Sequence, residues 1–369
     1  MTKKTIIITI NTSWNIFNFR VGLLKSLQNE GYHIVCVAPR DEYSERLEAL
    51  GFEYRHIDID NRGSNPFRDM KLIYQLYKIY KEINPMVILH YTIKPNIYGS
   101  IAGGLLGMKM ISNISGLGTI FLNQSFASRV GKWLYRVALK YPRVVFFQNR
   151  DDRELFVDLG LVDYNKSDVL AGSGVDMEVF KAPYKKKIYK KRLAFLFIAR
   201  LLRDKGIVEF VEASAMLPNS DFYILGEYYP NNPTAITPKQ IQKWTKSSNL
   251  IYLGSTDSVK EVIDSVDCVV LPSYREGLSR VLLESASMAK PIVTTNVAGC
   301  KEVVDDGING FLCKPKDKAS LARSIKKMID LTYKEREEMG ERGREKVARE
   351  FDEKFVIDRY KEAIRELQS

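Results

Sequence analysis

Two segments of this 369-residue chain hold residues whose types and spacing suit chemistry. The first, SYREGLSRVLLESASMAKPIV (273–293), sets Glu276 before Gly277 and places Glu284 inside an apolar run. Burying an unpaired carboxylate costs several kcal/mol, so an acid in such a run needs a partner. A helix starting near Ser279, whose side chain caps free backbone amides, puts Glu284 one to two turns in and Glu276 at the helix mouth. A helix N-terminus there favours anions, and a carboxylate can accept two vicinal hydroxyls, as on a ribose. The same spacing also fits a capping acid followed by an acid in a core network. The second segment, IARLLRDKGI (198–207), carries Arg200 at a strand end and Lys205 before a helix. A planar guanidinium and a point-charge ammonium suit a diphosphate, and they would stabilise a leaving group as its charge develops. A solvated basic turn has the same composition. No phosphate-binding GxxxxGK[ST] occurs anywhere in the chain.

The elements that must position these residues are legible as short apolar runs alternating with helical patterns. TIIITI (5–10), HIVCVAP (33–39), FEYRHIDI (52–59), MVILHY (86–91), MISNIS (110–115) and RVVFFQN (143–149) read as strands. Nearly continuous apolar character, without polar alternation, indicates parallel strands covered on both faces. Helix candidates at 67–83 and 150–159 complete βαβ units of a doubly wound sheet. A second series follows at 193–199, 221–226, 249–254, 267–273 and 291–295, then long helices from about 318 onward. The basic, core-poor run 183–192 reads as a linker. The expected architecture is therefore α/β: two Rossmann-like doubly wound domains facing across a cleft, 1–182 and 193–350. Residues 351–369 form a terminal helix packing back toward the first domain.

Net charge is +11 and the excess is spread over both halves, which suits anionic partners without choosing among them. Cys36, Cys268, Cys300 and Cys313 have no metal-type spacing and read as reduced, buried thiols. No apolar run approaches the roughly 18 residues of a membrane span. In 121–144, Phe126, Val130, Trp133, Leu134, Val137 and Tyr141 form one helical face, and Arg129, Lys132, Arg136 and Lys140 lie toward another. That is the pattern of an interfacial basic helix, and equally of a half-buried one.

Together, the Glu276–Glu284 spacing and the preceding Arg200 and Lys205 resemble the retaining glycosyltransferases of family 4, with the GT-B fold. The resemblance extends through VAGCKEVVDDGINGFL (297–312). TIKPNIYGSIAG (92–103), ISGLGTIF (114–121) and VVFFQNRDD (144–152) look like the subgroup extending undecaprenyl-diphosphate-linked sugars in surface-glycan or N-glycan assembly. The resemblance implies that Arg200 and Lys205 hold the donor diphosphate, Glu284 the ribose and Glu276 the donor sugar. It further implies that backbone amides of Gly277, Leu278 and Ser279 complete those contacts, with the base near Gly226 and Gly254. The implied donor is a UDP-sugar, an N-acetylhexosamine derivative, and the implied acceptor a lipid-linked saccharide.

Two departures from the family pattern stand out. The turn after the first strand, NTSWNIFNFR (11–20), is bulky where many members are Gly-rich. Trp14, Asn15 and Phe17 are therefore assigned to the acceptor, with core packing as the other reading of Phe17. No histidine follows the fifth strand, and His90 reads as a core residue. Lys94, Ser115 and Gly116 complete the expected acceptor edge. Asp58 and Asp60 are read as a chance Asp-x-Asp, so no metal or other cofactor is expected. The expected location is the cytoplasmic face of the cell membrane, peripherally bound to anionic lipid, with no nucleic-acid partner. A nucleotide-sugar epimerase and a non-catalytic anion- or nucleic-acid-binding protein are the alternatives.

Overall fold

The computed structural model describes residues 4–60, 65–117, 121, 126–181, 192–230, 232–246 and 249–368. The segment read as a linker lies, but for Arg192, outside them. In chain order the elements are β1 (Thr5–Thr9), α1 (Ser13–Phe19), α2 (Val21–Asn29), β2 (His33–Ala38), α3 (Glu42–Ala49), β3 (Glu53–His56) and α4 (Pro66–Ile83). Then come β4 (Val87–Tyr91), α5 (Ser100–Leu105), β5 (Met110–Ile114), α6 (Phe126–Ala138), β6 (Val144–Phe147), α7 (Arg150–Asp158) and β7 (Ser167–Val169). The second series is β8 (Ala194–Ile198), α8 (Ile207–Ala215), β9 (Asp221–Leu225), α9 (Pro238–Trp244), β10 (Leu250–Tyr252) and α10 (Val259–Ser265). It ends with β11 (Cys268–Leu271), α11 (Arg280–Ser287), β12 (Ile292–Thr295), β13 (Gly310–Cys313), α12 (Lys318–Asp330), α13 (Tyr333–Glu350) and α14 (Glu353–Glu366).

These elements make two compact units, Met1–Ser173 with Glu353–Ser369, and Gly174–Asp352. The first boundary falls ahead of the expected 182, because residues 174–180 are stitched into the second unit. Val175 bridges to Asp352, the Phe180 carbonyl accepts from Ser287 Oγ at 2.7 Å, and the Gly174 carbonyl accepts from Arg280 at 3.1 Å.

The first unit is a seven-stranded parallel sheet in the order β3-β2-β1-β4-β5-β6-β7. Strand residues alternate between faces, so a doubly covered sheet needs apolar residues at every position. Ile6, Ile8, Ile10, Leu89 and Tyr91 pack with Leu23, Leu24 and Leu27 of α2 and Val356, Tyr360, Ala363 and Ile364 of α14. Ile7 and Ile88 meet Leu72, Leu76 and Tyr80 of α4 on the other face. The second unit is a six-stranded parallel sheet in the order β10-β9-β8-β11-β12-β13. In each sheet the direction of winding reverses once, between β1 and β4 and between β8 and β11. Ligands of open α/β sheets bind at the carboxyl ends of strands at such reversals.

Two strands escape the sequence reading. β7 is the three-residue SDV, partly polar, and β13 begins with a glycine. The segment 11–20 is not a turn but α1, capped by Thr12 accepting from the Asn15 amide at 3.2 Å. No described helix is long and apolar enough to cross a membrane.

Candidate functional site

Adjacent parallel strands β8 and β11 deliver the loops after them to the same sheet edge. The β8 loop makes a single 3₁₀ turn over Arg203–Lys205 and enters α8 through Gly206, at φ +76°. A side chain at Gly206 is excluded twice, since a Cβ there would stand 2.0 Å from the Pro272 carbonyl oxygen. The backbones are joined by the Tyr274 amide donating to the Asp204 carbonyl at 2.9 Å. This clamp brings Lys205 Nζ to 2.5 Å from Glu276 Oε1, with both side chains mostly buried. The two residues singled out by sequence from separate segments therefore form one ion pair.

The loop 276–279 is held on its other side by the turn after β12. The Glu276 amide donates to Ala298 O at 3.0 Å and the Ser279 amide to Gly299 O at 2.8 Å. Gly299 sits at φ +81°, and a Cβ there would be 2.4 Å from the Glu276 carbonyl oxygen. Two expectations change here. Ser279 occupies the cap position of α11, but its side chain makes no cap hydrogen bond. Its amide serves Gly299, so it is not left for a phosphate. Gly277 and Leu278 lie in the same loop, half-buried. Cys300, buried behind it, has its thiol pushed up to about 12, chiefly by burial and further by the nearby Glu276 carboxylate.

Glu284 is buried in α11 and pairs with Arg280 one turn earlier, Nε to Oε1 at 2.9 Å. Burial raises its carboxyl pKa, and Arg280 opposes that shift. The i, i+4 spacing of Arg280 and Glu284 was a signal available in the sequence. Arg200 is exposed at the β8 end, with its guanidinium 5.0 Å from the Tyr229 ring centroid. Gly226 has both backbone groups committed: its amide to Gly254 O at 2.8 Å, its carbonyl to Tyr252 Oη at 2.9 Å. Its lack of a side chain lets β9 pass under Ala199, whose oxygen a Cβ would meet at 1.8 Å.

In the first unit, β1, β4 and β5 are neighbours, so Asn15, Lys94, Ser115 and Gly116 follow adjacent strand ends. Trp14 is exposed and set edge-on to Phe19 at 5.0 Å. Phe17 packs on the apolar core, and its ring lies 5.5 Å from Tyr43. Lys94 is closed off by an ion pair with Asp69 at 2.7 Å, an acid also bonded by Tyr98 Oη at 2.7 Å. Ser115 Oγ reaches Asn113 Oδ1 only at 3.5 Å. Part of 114–121 (118–120) lies outside the described residues. His90 is a core residue between Tyr80 Oη at 3.0 Å and Ser100 Oγ at 3.3 Å, its pKa lowered by burial to about 3. Asp58 pairs with His56 and Lys71, and Asp60 with Arg68. Among the described residues no cluster of His, Cys, Asp and Glu is arranged to hold a metal.

On α6 the division of faces differs from the one read by spacing. Tyr135 and Ala138 are buried, whereas Trp133 is 60% exposed and Val130 39%. Trp133 therefore shares the outer surface with Arg129, Arg136 and Lys140, while Lys132 approaches the Phe121 ring at 5.6 Å. The Phe126 side chain lies outside the described residues. Arg136 also donates to the Leu159 carbonyl at 2.7 Å.

Two family models match the chain, "Glycosyl transferase 4-like" over residues 6–149 and "Glycosyl transferases group 1" over 179–346. Among curated proteins it is 27% identical to the N,N'-diacetylbacillosaminyl-diphospho-undecaprenol alpha-1,3-N-acetylgalactosaminyltransferase of Campylobacter jejuni, over 94% of each chain. It is also 27% identical to the UDP-Gal:alpha-D-GlcNAc-diphosphoundecaprenol alpha-1,3-galactosyltransferase of Escherichia coli, over 73% of each. Similar folds include a Rickettsia africae glycosyltransferase, with TM-score 0.81 and 18% identity over the whole of both chains. Anabaena HepE, solved with UDP and glucose, has TM-score 0.79 and 16% identity over 97% of this chain and 98% of that one.

Proposed function

We propose, from the premise that this chain is a glycosyltransferase of the GT-B fold, that it extends a lipid-linked saccharide. It would move an N-acetylhexosamine, with retention, from a UDP-sugar to a hydroxyl of an undecaprenyl-diphosphate-linked acceptor. The observation carrying this reading is the Lys205–Glu276 pair at the winding reversal of the second sheet. The Campylobacter relative, matched over nearly its whole length, supports the substrate classes.

In this reading Lys205 and Arg200 stabilise the departing diphosphate. Glu276 orients Lys205 and accepts a donor-sugar hydroxyl. Arg280 fixes one oxygen of Glu284 and so aims the other at the ribose. Glu276 is committed to Lys205, so it is not assigned as a nucleophile. A front-face displacement fits, in which the leaving diphosphate takes the acceptor proton and the protein supplies orientation and charge. Catalysis needs no metal, and the enzyme works at an anionic membrane surface on the cytoplasmic side, with α6 as the contact.

The test is a donor screen with a synthetic polyprenyl-diphosphate sugar, following UDP release in the presence and absence of EDTA. Transfer to the lipid-linked sugar with retained anomeric configuration, unchanged by EDTA, is the expected result. Loss of turnover in EDTA restored by manganese refutes metal independence, and sugar isomerisation without an acceptor refutes the transferase reading.

A further inference from the structure

Arg20 lies between α1 and α2 and is only 5% exposed. Its guanidinium stacks 4.2 Å above the ring of Tyr91, the last residue of β4. Its Nε is buried without a hydrogen-bond partner, and among the described residues no carboxylate pairs with it. Glu353 reaches the same helix start but lies against Gly22. A buried cation is normally paired, because its desolvation is otherwise uncompensated. The ring face offsets part of that cost and leaves the Nε–H unmet.

The position gives this imbalance a meaning. Arg20 follows β1 and Tyr91 ends β4, the two strands between which the first sheet reverses its winding. Three further anomalies crowd the same strand end. The Tyr91 hydroxyl is buried and makes no well-formed hydrogen bond, with Tyr360 as its polar neighbour. Thr92, a β-branched residue, is held at φ +65°. The next turn, Pro95–Gly99, is π-helical and buries Asn96 with an unpartnered Oδ1. Lys94, the cation expected there from sequence, is already neutralised by Asp69.

We propose that Arg20 is the anion-recognition residue of the first unit and takes a phosphate of the acceptor's diphosphate. This rests on the function proposed above. The donor's diphosphate has Arg200 and Lys205 in the second unit, whereas the acceptor's has no other uncommitted cation among the residues assigned to it. Tyr91 holds the guanidinium plane, and the phosphate satisfies the donors that the fold leaves unmet.

The experiment compares wild type with Arg20→Met and Arg20→Lys. With saturating UDP present to fill the donor site, inorganic diphosphate is expected to raise the melting temperature of wild type and not of Arg20→Met. The KM for a short-chain polyprenyl-diphosphate sugar should rise about ten- to a hundredfold in Arg20→Met, the range of a charge-assisted hydrogen bond. UDP affinity should stay within about twofold, and kcat/KM for a neutral alkyl glycoside acceptor should be the same in both enzymes, by the same reasoning. Removing an uncompensated charge should leave the melting temperature without ligand equal or higher. A lower melting temperature with an unchanged acceptor KM makes Arg20 a structural residue and overturns the proposal. A fall in UDP affinity with unchanged acceptor KM assigns it to the donor phosphate and overturns it too. Should Arg20→Met not fold, Arg20→Lys, which keeps the charge but not the planar fork, must still raise the acceptor KM or the proposal fails. If wild type transfers nothing to the lipid acceptor yet still responds to diphosphate, the transferase reading fails while the anion site stands.

Discussion

At the residue scale, the candidate chemistry depends on charges that the fold pairs in advance. Lys205 is aimed by Glu276 and Glu284 by Arg280. Lys205→Ala is expected to lower kcat by about a hundred- to a thousandfold, the loss typical of one transition-state charge contact. Glu284→Ala is expected to lower kcat/KM by a similar factor through donor binding. Steady-state kinetics beside circular dichroism would check this, and near-normal rates in folded variants would remove the assignment. His90 gives a second prediction, about pH. Its folded pKa of about 3 lies below the ordinary 6.5 because burial disfavours the charged ring. A depressed histidine contributes stability that is present above the unfolded pKa and lost as pH falls through 6.5 toward 3. In urea titrations, the stability advantage of wild type over His90→Asn should shrink by about 1.4 kcal/mol per pH unit below that point. A constant difference between neutral pH and pH 4 would show that His90 is not buried neutral.

At the scale of elements, α6 is the part proposed to meet the membrane. Its inner side is fixed by Tyr135 and Ala138, and its outer side combines Trp133 with Arg129, Arg136 and Lys140. Basic residues near an anionic surface contribute about 1 kcal/mol each, and salt screens them. The chain is expected to co-sediment with phosphatidylglycerol vesicles and to be released at high salt. Replacing Arg129, Lys132, Arg136 and Lys140 with Gln should weaken that binding and slow a long-chain acceptor more than a soluble one. Vesicle binding and acceptor use equal to the parent's would leave α6 with a packing role only. Because Arg136 also bonds the Leu159 carbonyl, a Trp133→Ala variant separates lost membrane contact from lost packing.

At the scale of the whole molecule, the chain crosses its own domain order, since α14 completes the first unit from the far end of the sequence. Val356, Tyr360, Ala363 and Ile364 are buried there, and Tyr360 Oη accepts from Asn113 at 3.0 Å. Burying side chains the size of Val356 and Ile364 contributes about 1.5–3 kcal/mol each, against a total domain stability of about 5–15 kcal/mol. Truncation after Asp352 should therefore abolish the calorimetric transition of the first unit. A transition that UDP raises, belonging to the second unit, should remain. Retention of both transitions would mean that α14 adds little to that core.

The sequence by itself determined the fold class, since continuous apolar runs of strand length separated by helical periods allow little but covered parallel sheets. It also marked Glu276, Glu284, Arg200 and Lys205, because charged residues at strand ends and inside apolar runs are conspicuous against their surroundings. It could not show which charges pair. Lys205 meets Glu276 across 71 positions only because β8 and β11 are neighbours in the sheet. Lys94 looked available, but Asp69 of α4, 25 residues away, neutralises it. Arg20 carried no signal, because an arginine at the end of an aromatic turn is ordinary until tertiary packing covers it and gives it no counter-charge. Local pattern follows from side-chain periodicity, which is written along the chain. Pairing and desolvation depend on which strand ends become neighbours, and that is decided only when the sheets assemble.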